Sequence, residues 1–254
     1  MTEQFRPVTH HPPIGFINSI LFYGRMFLDF QLYTLYKHIK RVVPNYEGKV
    51  LDVGCGNSPF KFLINTANAS YIGIDIDSAD NFDYNNSEKI NFNGENIPFE
   101  NESFENVIST EVLEHIENPE IIIDEIFRVL KPEGNAFISI PWSARVHYAP
   151  YDFCRYTPYK LEKLFSKFKK ADIIPRGTDI NSIVSKIVVV FIGLFISSLK
   201  PISFKEFLLS IFKIVLFFLF FPLFPLIILI GHLELLLKIG SANDPLGYSI
   251  FLKK

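Results

Sequence analysis

The sequence predicts an α/β protein built on a doubly wound, mostly parallel sheet with helices on both faces. Three observations predict it. Short continuous apolar runs recur at 49–53, 71–75, 106–110 and 135–140, as strands buried on both sides require. Segments with apolar residues at helical spacing separate them. The first run ends in a glycine-rich turn, the corner at which open α/β sheets receive ligands.

Taken in order, residues 14–41 read as one helix, apolar on most sides, with only Arg25 and Asp29 charged before Lys37. A helix packed over the domain and a membrane-facing helix both fit. The preceding MTEQFRPVTHHPP lacks the basic and apolar regions of a signal peptide, so the catalytic domain is expected in the cytoplasm. After the third run, Asn118 is placed to cap a helix with Pro119 at its first position. Ile122, Ile126, Val129 and Leu130 follow at helical spacing, and KPEG at 131–134 ends it. Thr157 and Pro158 open another helix, with Leu161, Leu164, Phe165 and Phe168 as its buried stripe. Residues 171–176 read as a late strand and 246–252 as the final one.

Composition narrows the partners. The 254 residues carry a formal charge of −2, with a pI near 6.3, so no basic field draws in nucleic acid. Cys55 and Cys154 lack metal-ligand spacing and read as free thiols of a reducing compartment. Mean hydropathy is +0.21, and most of the apolar excess lies within 183–239. Residues 187–199 are uncharged but short of the roughly 20 that span a bilayer. A longer run, 207–230, is interrupted by Lys213, Pro222 and Pro225. A re-entrant or in-plane hydrophobic helical hairpin fits better than two crossings. So large an apolar surface needs a partner: a membrane first, a homodimer second. The expected organisation is an N-terminal helical cap (1–45), a catalytic domain (46–181 with 241–254) and the hydrophobic insertion (182–240).

The central motif is LDVGCG, residues 51–56. Gly54 and Gly56 let backbone approach a ligand, and a following helix is expected to present free N–H groups. A dinucleotide fingerprint needs a third glycine where Pro59 stands, which disfavours hydride transfer. Asp52 is expected to face the same crevice, where an acid suits an ammonium group. Asp75, ending the second run, is placed to accept ribose hydroxyls. Singly, each also reads as a turn or cap residue; together they frame one nucleoside ligand.

LDVGCG, GIDID (73–77) and the run from ENIPF to FISIP (95–141) resemble the class I S-adenosylmethionine-dependent methyltransferases, type 11 subgroup. The resemblance is dense over 50–141 and thins toward both ends. It implies a seven-stranded Rossmann-like sheet whose last two strands pair antiparallel, with the greasy hairpin expanding the connection between them. It further implies S-adenosylmethionine as cofactor, with Gly54 and Gly56 behind the methionine portion and Asp52 near its amino group. Asp75 would hold the ribose and Ile76 flank the adenine. Asn93, Glu95, Asn96, Thr110 and Glu111 would complete the site. Asn93 stands where the family often has an acid, and its side-chain oxygen is expected to accept the adenine amino group without charge assistance.

Methyl transfer demands alignment, exclusion of water and, for hydroxyl acceptors, removal of a proton. Glu111, Glu114 and His115 stand at i, i+3 and i+4, one face if helical, with His115 either a general base or a brace beneath the cofactor. That face resembles a metal site proposed in quinone-modifying relatives. Two carboxylates and one imidazole are only a partial ligand set, and no metal is predicted. The loop 141–157 resembles the acceptor loop of glycan- and lipid-modifying relatives, with His147 and Asp152 as the acceptor-side pair. Aromatics and salt bridges of purely structural purpose would look similar. The reading is a methyltransferase at the cytoplasmic face of a membrane, acting on a membrane-associated small molecule, quinone, lipid or lipid-linked glycan. A non-catalytic scaffold and an RNA methyltransferase are the alternatives.

Overall fold

The structure, a computed structural model, describes residues 12–77, 86–199 and 203–254. The stretch read for a signal peptide lies outside them up to residue 11. Two helices, α1 (Phe16–Leu28) and α2 (Phe30–Ile39), precede β1 (Gly48–Val53), β2 (Ala69–Ile76), β3 (Ile90–Phe92) and β4 (Phe104–Thr110). Next come α3 (Pro119–Val129), β5 (Leu130–Pro141), α4 (Pro158–Leu164) and β6 (Lys170–Arg176). The hydrophobic helices α5 (Asp179–Ser198), α6 (Phe204–Phe220) and α7 (Phe224–Leu237) then lead to β7 (Gly247–Lys253).

The described strands form one seven-stranded sheet in the order β3-β2-β1-β4-β5-β7-β6, and β7 alone runs antiparallel to its neighbours. The chain reverses its direction of winding between β1 and β4, which opens a crevice beyond their carboxyl ends. Strand alternation divides the core in two. Leu51, Val53 and Ile138 join Ile122 and Ile126 of α3 and Leu161 of α4 on one face; Val50, Ile108 and Phe137 join Leu35 and Ile39 of α2 on the other. Burial on both faces is why the strands read as continuous apolar runs.

The single helix expected over 14–41 is two. Asp29 adopts φ −101° and ψ 91°, and its Oδ1 accepts the Leu32 N–H at 3.0 Å, capping α2. Thr157 caps α4 by accepting the Lys160 N–H, whereas Asn118 precedes α3 without a side-chain cap.

The hydrophobic insertion leaves β6 and returns to β7, and these strands pair from Lys170↔Lys253 to Arg176↔Gly247. Its first apolar segment, short in sequence, is extended by polar residues into a 20-residue helix. The second passes Pro222 through one 3-10 turn, Phe221–Leu223, with right-handed helical backbone on either side, so that α7 continues α6 along α5. Phe191 stacks on Phe217 and Phe224 at 4.4 and 4.6 Å between centroids. The foot of the hairpin is tied by Asn181 donating to the Gly231 carbonyl (2.8 Å) and by Thr178 donating to Glu234 (2.9 Å). Asp179–Ser198 and Glu206–Leu237 are long and apolar enough to cross a membrane, by length and composition. Much of their surface, such as Phe218, Leu219 and Leu236, is exposed.

Candidate functional site

At the end of β1 the chain turns through Gly54 (φ 73°) and Gly56 (φ 48°), left-handed conformations that favour glycine. A Cβ on Gly54 would stand 2.5 Å from Val112. The Gly54 and Cys55 N–H groups donate to the Ile74 carbonyl at 2.9 and 3.0 Å, seating the turn on β2. Asp75 then clamps it: its Oδ2 accepts the Gly56 N–H at 2.7 Å and its Oδ1 the Ile76 N–H at 2.8 Å. Asn86, which carried no signal in sequence, donates to the Gly56 carbonyl at 2.8 Å and to Ser58 at 3.0 Å.

Two expectations for this turn are corrected. No α-helix follows it: Ser58 is left-handed (φ 52°), Pro59 follows, and only a 3-10 turn forms at Lys61–Leu63. Asp52 does not line the crevice either, because strand alternation puts it on the Val50 face, beneath Tyr71. The Tyr71 hydroxyl donates to its Oδ2 at 2.7 Å. Burial pushes the Asp52 carboxyl up to about 7; the Tyr71 bond opposes this and the Asp75 charge adds to it.

Ile76, Asn93, Gly94 and Glu95 line the next part of the wall, while Asn96 does not reach it. The Asn93 Oδ1 accepts the Glu95 and Asn96 N–H groups at 3.0 and 2.8 Å. The oxygen expected to meet an adenine amino group is thus committed to its own loop, a common use of Asn in turns.

Thr110 and Glu111 lie where β4 ends, and both line the cavity. Glu111 is left-handed (φ 54°), and residues Leu113–His115 form a 3-10 turn, so the helical face expected for Glu111, Glu114 and His115 does not exist. Glu111 instead accepts from Ser139 and from the Arg176 guanidinium, both at 2.8 Å. Arg176 is fully buried and also donates to the carbonyls of Ile140 (3.2 Å) and Gln31 (3.3 Å). Sequence reading missed it; a lone arginine closing an apolar strand was the available signal.

Glu114 and His115 meet His147 from the 141–157 loop. The His115 and His147 rings stand edge to face, 4.8 Å apart. The Glu114 Oε1 lies 3.6 Å from His115 Nε2 and 3.9 Å from His147 Nε2. The Glu114 carboxyl is fully buried, and neither oxygen has a hydrogen-bond partner. Burial, and then the Glu111 charge, raise it well above the carboxylate range. His115, whose Nδ1 lies 2.6 Å from the Tyr151 carbonyl, is pushed down to about 4 by burial. One ligand atom from each of Glu114, His115 and His147 lies within 4.8 Å of the others, a spacing that can hold a cation or pass a proton.

His147 and Asp152 are brought together. The Asp152 Oδ2 accepts the His147 N–H at 3.0 Å and lies 3.2 Å from Nδ1, which is 3.0 Å from the Arg145 carbonyl. Burial opposes charge on Asp152, but the Arg155 fork, at 2.6 and 2.9 Å, outweighs it and holds the carboxyl below its usual range. Asp152 does not line the cavity; it orients His147, which does.

All these walls enclose one cavity of about 1150 Å³. It runs from Asp75 and Ile76, past Thr110, His115 and His147, to Arg25 and Asp29 beside α2. There Ser185, Lys186, Val189, Val190 and Gly193 of α5 close it.

Comparison with known proteins agrees with this geometry. Residues 27–170 match the family model described as "Methyltransferase domain". The chain is 32% identical over 142 residues to the mitochondrial ubiquinone biosynthesis O-methyltransferase of Bos taurus, covering 51% of this chain and 35% of that protein. It thus spans about a third of that relative's length. An S-adenosylmethionine-dependent methyltransferase from Archaeoglobus fulgidus superposes with a TM-score of 0.53 at 16% identity, over 93% of this chain and 99% of that one. A putative sarcosine dimethylglycine methyltransferase from Galdieria sulphuraria gives 0.52 at 17%, over 88% and 84%. At such identities the two structures share the fold.

Proposed function

We propose, from the premise that this chain belongs to the methyltransferase-domain family and is an S-adenosylmethionine-dependent methyltransferase, that it methylates a lipid-soluble acceptor carried in a membrane. The hydroxyl of a quinone-precursor ring is the acceptor that fits best. The observation that carries this reading is the continuity of the cavity, whose walls pass from Asp75 to the apolar helix α5. The ubiquinone-forming relative supports the choice of a quinone precursor.

The residues present fit the cofactor. Gly54 and Gly56 carry the left-handed turn along the cavity wall, and Asp75, at the last-but-one position of β2, lines the same wall with its carboxylate fixed by the Gly56 and Ile76 N–H groups. In this reading the turn backs the methionine portion, Asp75 holds the ribose, and Ile76 with Gly94 flanks the adenine. When bound, S-adenosylmethionine supplies an electrophilic methyl group on a sulfonium. The chain must align the acceptor and take its proton. His147 accepts that proton at Nε2, because its Nδ1 faces the Arg145 carbonyl and Asp152. His115 walls the same space edge-on, and Glu114, neutral through burial, adds no repelling charge beside the acceptor oxygen.

The hairpin is read as the membrane anchor, with a homodimer interface as its second use. It leaves and rejoins the sheet at one end, which keeps the catalytic domain on a single, cytoplasmic side. Nucleic acid is not a partner in this reading. The test is a labelled-methyl assay on total membranes, followed by partition into organic and aqueous phases. Label is expected in the organic phase and lost with Asp75→Ala. Label confined to the aqueous phase would overturn the lipid-soluble acceptor.

A further inference from the structure

A second hollow, of about 370 Å³, lies away from the cavity, between α1, α2 and α7. Tyr23, Tyr33, Tyr36 and His232 wall it, and Lys37, Lys40 and Arg41 project from the last turn of α2 and just beyond. Lys238, at the end of α7, adds to them: it acts on both Lys37 and His38. Among the described residues none of these four cations has a salt bridge. The charges acting on Lys37 (Arg41, Lys238 and Lys40) are all positive, and after burial they lower its pKa. A cation or two at a helix C-terminus needs no ligand, since the helix dipole favours it. Four from two helices, in a chain of net charge −2, exceed that need.

The hollow is rigidly built. The His232 ring stacks on Phe27 at 4.7 Å and its Nε2 lies 2.9 Å from the Phe27 carbonyl, locking α7 to the junction of α1 and α2. Lys40 lies over the Tyr36 ring at 5.1 Å. Immediately beside it the surface turns apolar: Ile20 and Phe27 of α1, and Leu233, Leu236 and Leu237 of α7, are exposed. Apolar side chains, then tyrosines, then lysine and arginine is the order met on passing from acyl chains to headgroups.

We propose that this hollow binds the phosphate headgroup of an anionic membrane lipid through Lys37, Lys40 and Arg41, with the adjoining apolar residues in its acyl region. This rests on the membrane reading above and adds a lipid preference to it. The test floats detergent-purified full-length protein on vesicles of phosphatidylcholine alone, or mixed with phosphatidylglycerol. Binding is expected to favour the mixed vesicles, by a margin that falls in high salt. The margin should shrink about five-fold per cation removed in Lys37→Gln, Lys40→Gln and Arg41→Gln combined. Affinity for S-adenosylmethionine should not change, which reports that the variant is folded. Equal binding of wild type to both vesicles overturns the headgroup site while leaving the membrane anchor standing. Binding to neither overturns both. Displacement by inorganic phosphate beyond that by chloride of equal ionic strength would assign the hollow to a free anion, and overturns the lipid.

Discussion

Replacing Asp52 by Asn tests the buried face of the first strand. Asp52 is 4% exposed, shares a bond with Tyr71 and is raised by burial to about 7. In the unfolded chain it titrates near its ordinary value of 3.8. The folded state therefore holds a proton that the unfolded state has lost, and stability contributed at this site falls as pH rises between the two values. Each unit of difference corresponds to about 1.4 kcal/mol. From pH 5 to pH 8 only the interval up to the folded value counts, about two units, so wild type loses about 3 kcal/mol at this position. Asn is neutral throughout and can still accept from Tyr71. His38 and His115, both held neutral near 4 by burial, give the wild type an opposite trend, but the variant keeps it. The informative quantity is thus the difference between the two proteins in urea unfolding, without cofactor and in the same detergent. The variant should gain about 3 kcal/mol on wild type between pH 5 and pH 8. Parallel stability profiles would refute the buried neutral carboxyl.

Gly54→Ala must hold a left-handed backbone and displace Val112, and should lower stability by at least about 1–2 kcal/mol. An unchanged melting temperature would count against the turn as described, and Val112→Ala added to it should restore part of the loss. Arg176→Met strands Glu111 beside a buried apolar side chain and should cost about 3 kcal/mol, partly recovered by adding Glu111→Gln; double-variant unfolding measures the coupling. His147→Ala should lower kcat about a hundred-fold with little change in KM for S-adenosylmethionine, and Asp152→Asn should lower kcat less. A raised cofactor KM with intact kcat would instead place His147 in cofactor binding.

Six of the strands were legible because burial on both faces demands apolar runs; β3, three residues long and mostly exposed, carried no such run, and the β-branched stretch 187–190 is helical in α5. Helix α4 was legible from Thr157 and Pro158. Asp29 carried a readable signal, a cap residue inside an apolar run, yet its ten-residue helix lay hidden within a longer periodic stretch. The expected helix after the glycine turn failed because Pro59 follows a left-handed Ser58. The cavity wall was partly legible: GIDID marked Asp75, and the 141–157 loop marked His147 with its neighbour Asp152. The left-handed Glu111 was not, since that conformation is uncommon outside glycine and is fixed by Arg176, 65 residues away. Asn93 does line the cavity, but the bonds of its oxygen to its own loop, two and three residues on, were not legible.

The rung joining Arg176 to Gly247 marks where the greasy segment departs and where it comes home. To the sheet, everything in between is one long loop, and lengthening a loop costs little entropy. Segments of other lengths or compositions can therefore be exchanged there without breaking a ladder bond. The same rung carries the guanidinium that grips Glu111, so whatever pulls on that segment is felt first at the wall of the cavity.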